Sequence, residues 1–123
     1  MCLQGASAVQ KVLQEQIDQR IRVFVVWEPV LPTDWGAPSS AGLARVPDGR
    51  VQQYWDKGRL LSKAMGERDN SSIVWDYVAV YAPGALWNDT PPKPFYEDGP
   101  VVRVVSALTQ ALRSASVRPA QGN

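Results

Sequence analysis

Hydrophobic residues recur with helical spacing near both ends of the chain. In residues 6–19 one face carries apolar side chains at intervals of three and four, while Gln, Lys, Glu and Asp fill the other face. The positions that share the first face are Val9, Val12, Leu13, Gln16 and Ile17. Residues 103–115 carry a second stripe of Val104, Val105, Leu108, Ala111, Leu112 and Ala115. We therefore predict an amphipathic helix at each end and a flexible tail over residues 116–123.

Two segments between these helices have the composition of β-strands. Ile21–Trp27 is short, β-branched and apolar on both faces from Val23 onward, which predicts an interior strand. Ser72–Tyr81 alternates two faces and predicts the strongest strand, with Asp76 at its middle. The turn at residues 82–85 predicts a hairpin to a strand near Leu86 or Trp87.

The intervening chain is rich in Pro and Gly. We predict a helical turn over residues 40–45, capped by Ser39 or Ser40, and a short extended piece over Val51–Trp55. Asp56 is placed to cap a further helix over residues 58–65. The order of elements predicts a mixed α/β protein.

Composition narrows the class of protein. The chain has 123 residues, 45% of them hydrophobic, and a net charge of +1, which predicts one globular domain over residues 1–115. The charge balance gives no attraction to nucleic acid, and no apolar run is long enough to span a membrane. Because residue 1 is not followed by a signal-peptide pattern, we expect a cytoplasmic protein without nucleic-acid or membrane partners.

Residue counts also limit the chemistry. The chain has no His and one Cys, which excludes His-based catalysis, an intrachain disulfide and a Cys-rich metal site. Carboxylates, Lys, Tyr, hydroxyls and one thiol remain. We expect neither a metal nor a cofactor.

A family resemblance covers about residues 2–113. It is carried by Cys2–Gly5 at the start of a helix, by Val23–Asp34, by Gln53–Asp56 and Val74–Asp76, and by the hairpin that leads into the last helix. These segments resemble bacterial thioredoxin-like proteins of uncharacterised role. The resemblance implies a thioredoxin-like α/β fold, with a mixed sheet flanked by helices.

The match to that family is incomplete. Cys2 takes the place of the second cysteine of C-x-x-C, so the first cysteine and the βα lead-in strand, which lies mid-sheet in the family, are missing. The family's cis-proline is also replaced, by Asn70–Ile73. We therefore expect an incomplete thioredoxin-like fold. A chain that begins inside a motif also suggests a gene cassette or a truncated reading frame.

Two residues are candidates for catalysis. Cys2 lies at a helix N-terminus, which favours the thiolate, although we prefer the interpretation that it is a frayed terminal residue. Asp76 resembles the buried proton-accepting carboxylate of thioredoxin-like sites, although we favour a structural role, either an ion pair with Arg22 or Arg103 or a hydrogen bond to a hydroxyl group.

A candidate ligand surface follows the first strand, because ligands of open α/β sheets bind beyond the carboxyl ends of strands. Aromatic side chains and carboxylates are typical of the walls of ligand pockets, although a lone carboxylate in a loop is more often simply solvated. The expected ligand-binding residues are Trp27, Glu28, Asp34, Trp35, Trp75 and Trp87.

These observations favour a non-catalytic module that binds a small molecule or a partner through its aromatic loop face. Two alternatives stay open: a thiol–disulfide oxidoreductase that uses Cys2 with an external thiol, and a pure protein-interaction module. Because a sheet that lacks a strand has open edges, we also expect a homodimer formed by strand exchange or edge pairing.

Overall fold

The computed structural model describes residues 3–31, 33–34, 36–67 and 73–116. Over these residues the protein is mixed α/β, with two small sheets and four α-helices. The elements in chain order are α1 (Leu3–Glu15), β1 (Val23–Trp27), α2 (Ser40–Leu43), β2 (Val51–Trp55), α3 (Leu60–Ser62), β3 (Val78–Val80), β4 (Tyr96–Asp98) and α4 (Val105–Ser116). A π-helical turn (Lys63–Glu67) follows α3, and a 3-10 turn (Val101–Arg103) precedes α4.

The strands form two separate pairs. β1 and β2 are parallel, with Val23 opposite Val51 and Trp27 opposite Trp55. β3 and β4 are antiparallel, with Val78 opposite Asp98. Within the described residues no strand of one pair bonds to a strand of the other, so each sheet has two strands and each strand has one neighbour.

Helix α1 packs against both sheets. Val12 and Leu13 are each 1% exposed, yet they belong to different apolar clusters. Val12 packs with Val80 of β3 and with Leu108 of α4, whereas Leu13 packs with Trp27 and Val46. Because successive residues point about 100° apart around a helix, these neighbours bury two faces of α1. Both clusters therefore depend on this helix.

The helices agree with the sequence patterns except at their ends. α1 covers Leu3–Glu15 rather than residues 6–19, so Ile17 lies beyond the helix and is 80% exposed. The last helix begins at Val105, and its stripe is buried as predicted at Leu108, Ala111 and Ala115. The cap of α2 is confirmed, since Ser39 Oγ accepts a hydrogen bond from Gly42 N at 3.2 Å. The predicted tail lies outside the described residues, except for Ser116.

The strand predictions were less accurate. Val51–Trp55 is confirmed as β2. The prediction that β1 is an interior strand is wrong within the described residues, because β1 has one neighbour and Phe24 is 63% exposed. The predicted strand over residues 72–81 is reduced to Val78–Val80, and its hairpin partner is β4 rather than a strand near Leu86.

Asp76 explains why that strand is short. Its φ of 48° lies in the left-handed region, which interrupts an extended chain. Its Oδ1 accepts a hydrogen bond from Val101 N at 3.1 Å, at the start of the 3-10 turn. A Cβ added at Gly99 would lie 2.5 Å from the carbonyl oxygen of Asp76, so the two segments meet backbone to backbone. Asp76 thus has a structural partner, and it is neither of the arginines considered from the sequence.

This close approach generates a stability prediction. The substitution Gly99→Ala should lower the free energy of unfolding by about 2 kcal/mol, because backbone atoms must move to admit the methyl group. Gly49→Ala is the control, since a Cβ there meets nothing within 4 Å. Urea denaturation measures both, and equal stabilities for the two variants would contradict the contact.

Candidate binding surface

Two carboxylates follow the carboxyl ends of the parallel strands, and both hold α3. Glu28 Oε1 accepts a hydrogen bond from Ser62 N at 3.2 Å, and Asp56 Oδ2 accepts one from Leu61 N at 2.8 Å. Asp56 N in turn donates to Trp27 O at 2.8 Å. Asp56 thus caps the first turn through its side chain as predicted, although the N-cap residue is Arg59 and α3 is shorter than the predicted helix over residues 58–65. Glu28 was expected in a ligand pocket, but its Oε1 accepts a hydrogen bond from the backbone of α3.

Asp34 organises its own loop. Its Oδ2 accepts hydrogen bonds from Leu31 N at 2.9 Å and from Val30 N at 3.0 Å. These N–H groups, Leu31 first, lower the pKa of Asp34 below its ordinary value, because they stabilise the charged carboxylate. The carboxylate therefore fixes the course of the chain after β1.

The expected aromatic face is only partly assembled. Trp27 is 5% exposed, and its Nε1 donates to Gln53 Oε1 at 2.9 Å, so this residue belongs to the core rather than to a loop surface. Trp75 and Trp87 are exposed, and Trp87 packs edge-on against Tyr81 with ring centroids 6.2 Å apart. Trp35 and Cys2 lie outside the described residues.

A chain of hydrogen bonds connects Glu28 with the region of Trp75. Ser62, 1% exposed, donates its N–H to Glu28, and its Oγ accepts from Val74 N at 2.8 Å. Of the expected ligand-binding residues, the structure therefore brings Glu28 and Trp75 into one neighbourhood. No sequence pattern indicated Ser62, because the burial of a Ser in a three-residue helix cannot be recognised from the residues around it.

The outer edge of β1 is one of the two open edges of the parallel sheet within the described residues. Val23 N donates to Arg50 O at 3.1 Å, and Trp27 O accepts from Asp56 N at 2.8 Å. Since a parallel strand directs alternate residues towards its neighbour, Val23, Val25 and Trp27 bond to β2. The N–H and C=O groups of Phe24 and Val26 point away from β2. No other strand of the described part of the chain lies beside them.

The side chains next to this edge are aromatic at the middle and basic at one end. Phe24 and Tyr54 lie on the same sheet face, are 63% and 50% exposed, and have ring centroids 6.4 Å apart. Arg22, which is exposed, donates from Nη1 to the carbonyl oxygens of Gln19 and Ile21. A shallow groove runs past Arg22, Phe24 and Gln52. Exposed aromatic rings therefore lie beside the outward backbone groups of β1.

Arg50 connects the parallel sheet to α1, the helix that packs behind it. Its side chain is 8% exposed and forms a bidentate ion pair with Asp48, with Nη2 2.8 Å from Oδ2. It also donates to the carbonyl oxygens of Leu13 at 2.7 Å and Asp18 at 3.0 Å, and to that of Gln16. These carbonyls belong to the end of α1 and the turn after it, where no helical donor is left for them. Arg50 therefore ties α1 to the start of β2.

Sequence reasoning missed Arg50, although a signal existed. The pattern Asp-x-Arg occurs twice, at Asp18–Arg20 and Asp48–Arg50. In both copies the first carboxylate oxygen accepts from the Arg backbone N–H at 2.9 Å and also from Nε, while the second accepts from Nη2 at 2.8 Å. The Asp18–Arg20 copy leaves its Arg side chain 80% exposed, so only the second copy builds the core.

Comparison with known protein-family models, curated proteins and solved structures finds no match. Across the described residues, no helix combines the length and apolar character needed to cross a membrane. The same residues contain no group of three acidic or thiol side chains placed to hold a metal ion.

The role of Arg50 generates a second prediction. Arg50→Met should lower the free energy of unfolding by about 3 kcal/mol, because Asp48 loses its guanidinium partner and the carbonyl oxygens of Leu13 and Gln16 lose the hydrogen bonds from Arg50. Arg20→Met removes the same ion-pair geometry at an exposed position and should change stability little. Chemical denaturation of both variants measures the difference. A similar loss in the two would contradict the tie between α1 and β2.

The same ion pair generates a pH prediction. Hydrogen bonds from the Arg50 side chain and backbone lower the pKa of Asp48 from 3.8 to about 2. Because the folded pKa lies below the unfolded one, this stabilisation is complete above the unfolded value and is lost as the pH falls from about 4 to about 2. Asp48→Asn should therefore be less stable at neutral pH and flatter in this acid range. Parallel slopes for variant and wild type in urea unfolding across that range would contradict the prediction.

Proposed function

We propose that this chain is a non-catalytic binding module, in which an incomplete thioredoxin-like sheet binds a partner through the outer edge of β1. The partner in this proposal is a second copy of the chain, so that the protein forms a homodimer. The observation that carries the proposal is the division of the sheet, which leaves the outward backbone groups of Phe24 and Val26 without a neighbouring strand in the described residues. Exposed strand edges are templates for pairing with another chain.

The order of elements supports the thioredoxin-like part of the proposal. A helix, a strand, an antiparallel pair and a terminal helix occur in the order α1, β1, β3–β4 and α4, with α2, β2 and α3 between β1 and β3. In the family that the sequence resembles, a strand before the first helix lies in the middle of the sheet. A sheet without its middle strand would consist of two parts, and β1–β2 and β3–β4 are separate here.

The hydrogen bonds of three carboxylates support the proposal that the module is non-catalytic. Glu28, Asp34 and Asp76 each accept hydrogen bonds from backbone N–H groups that shape a helix start or a loop. A general acid or base needs a carboxyl group directed at a substrate. These hydrogen bonds favour a structural role for the three side chains.

Sedimentation velocity at micromolar concentration tests the proposal. The wild-type protein should sediment as a dimer that dissociates on dilution. Phe24→Lys should shift it to the monomer, because a charged side chain on an edge strand opposes pairing. Leu86→Lys is the matched control, since Leu86 is 75% exposed in the loop between β3 and β4, and it should keep the dimer. A wild-type protein that stays monomeric would refute self-association.

A further inference from the structure

The hydrogen-bonding pattern of β1 restricts how two copies can meet. Only even-numbered residues, Phe24 and Val26 within the strand, have backbone groups that point outwards. We propose that two copies pair β1 against β1 in antiparallel orientation, with the two-fold axis at Val25. This inference rests on the proposed function and adds the edge, the direction and the register to it.

The register follows from the length of the strand. β1 has five residues, and Val25 is the middle one, so an axis there overlaps the strand over its full length. Phe24 then lies opposite Val26 of the second copy, and the reciprocal pair forms across the axis. In each pair both residues present outward N–H and C=O groups, which gives four new hydrogen bonds between the copies.

Charge agrees with this direction of pairing. Arg22 precedes β1 and Glu28 follows it, so antiparallel pairing about Val25 sets Arg22 of each copy opposite Glu28 of the other. Glu28 Oε1 accepts a hydrogen bond from Ser62 N and its Oε2 is buried, so the two residues attract each other as opposite charges without a direct hydrogen bond. A parallel arrangement would place like charges together instead.

The side chains also suit the composite sheet, which has the order β2-β1-β1-β2. On the outer face, Phe24 lies beside Val26 of the second copy and extends the apolar surface that it shares with Tyr54. On the inner face, Val25 of each copy joins the cluster that α1 already covers. Both faces therefore continue across the axis without burying a charge.

Cysteine cross-linking tests the register. In a Cys2→Ser background, Val25→Cys places two thiols across the axis at a non-hydrogen-bonded pair, with Cα atoms about 4.5 Å apart and within disulfide reach. We expect a covalent dimer under mild oxidation. Gln52→Cys is the control, because the two β2 strands would be three strand spacings apart, about 14 Å, and no cross-link should form.

Hydrogen exchange of the unmodified protein gives a second readout that does not depend on how the variant folds. The amides of Phe24 and Val26 should be protected at high concentration and should exchange rapidly after dilution. The Val25 amide, bonded to β2 in either state, should stay protected. A dimer without cross-linking and with unprotected Phe24 and Val26 amides would overturn this pairing while leaving self-association intact. A protein that never associates would overturn both proposals.

Discussion

The constraint on which the rest of the structure depends is the backbone hydrogen bonding of one five-residue strand. The N–H and C=O groups of three of the five β1 residues bond to β2, and those of Phe24 and Val26 point to the side where the described residues place no strand. Backbone polar groups must bond to protein or to water, and an apolar side chain cannot satisfy them. As far as the described residues go, the outer edge of β1 is therefore open to water or to a paired chain. The state of this edge affects the core, because Trp27 of the same strand is buried there and Val23 and Val25 pack against it.

Helix α1 and Arg50 present that edge in a fixed orientation. The helix covers the inner face of β1–β2 through Leu13, and on its other side it packs on β3 and α4 through Val12. Arg50 stands at the start of β2 and donates to the carbonyls at the end of α1, so the helix cannot slide along the sheet without breaking a buried ion-pair network. The edge is thus rigidly supported from behind while its outer face, with Phe24 and Tyr54, remains accessible.

How much of this could be predicted depends on how local the cause is. The terminal helices and the Ser39 and Asp56 caps were predictable, because spacing and capping act within one turn. The status of β1 was not, because an apolar run gives the same pattern whether or not a strand lies beside it. The break at Asp76 depends on its contact with Val101 and on the approach of Gly99, which are distant in sequence.

The candidate site shows the same division. The sequence indicated that Glu28 and Asp34 follow a strand, but it could not show that backbone N–H groups would occupy them. Trp27 looked like a wall residue because it precedes a loop, yet its position in the parallel register turns it into the core beside Gln53. Arg50 was one cation among several until the fold brought the end of α1 to it.

The most direct test of the central claim is an isotope-filtered NOE experiment on an equimolar mixture of labelled and unlabelled protein. It detects contacts between copies without any substitution. The account predicts intermolecular NOEs confined to β1 and its flanking residues, including Val25 to Val25 across the axis and Phe24 to Val26. Intermolecular NOEs that involve other strands or helices and leave β1 silent would contradict it.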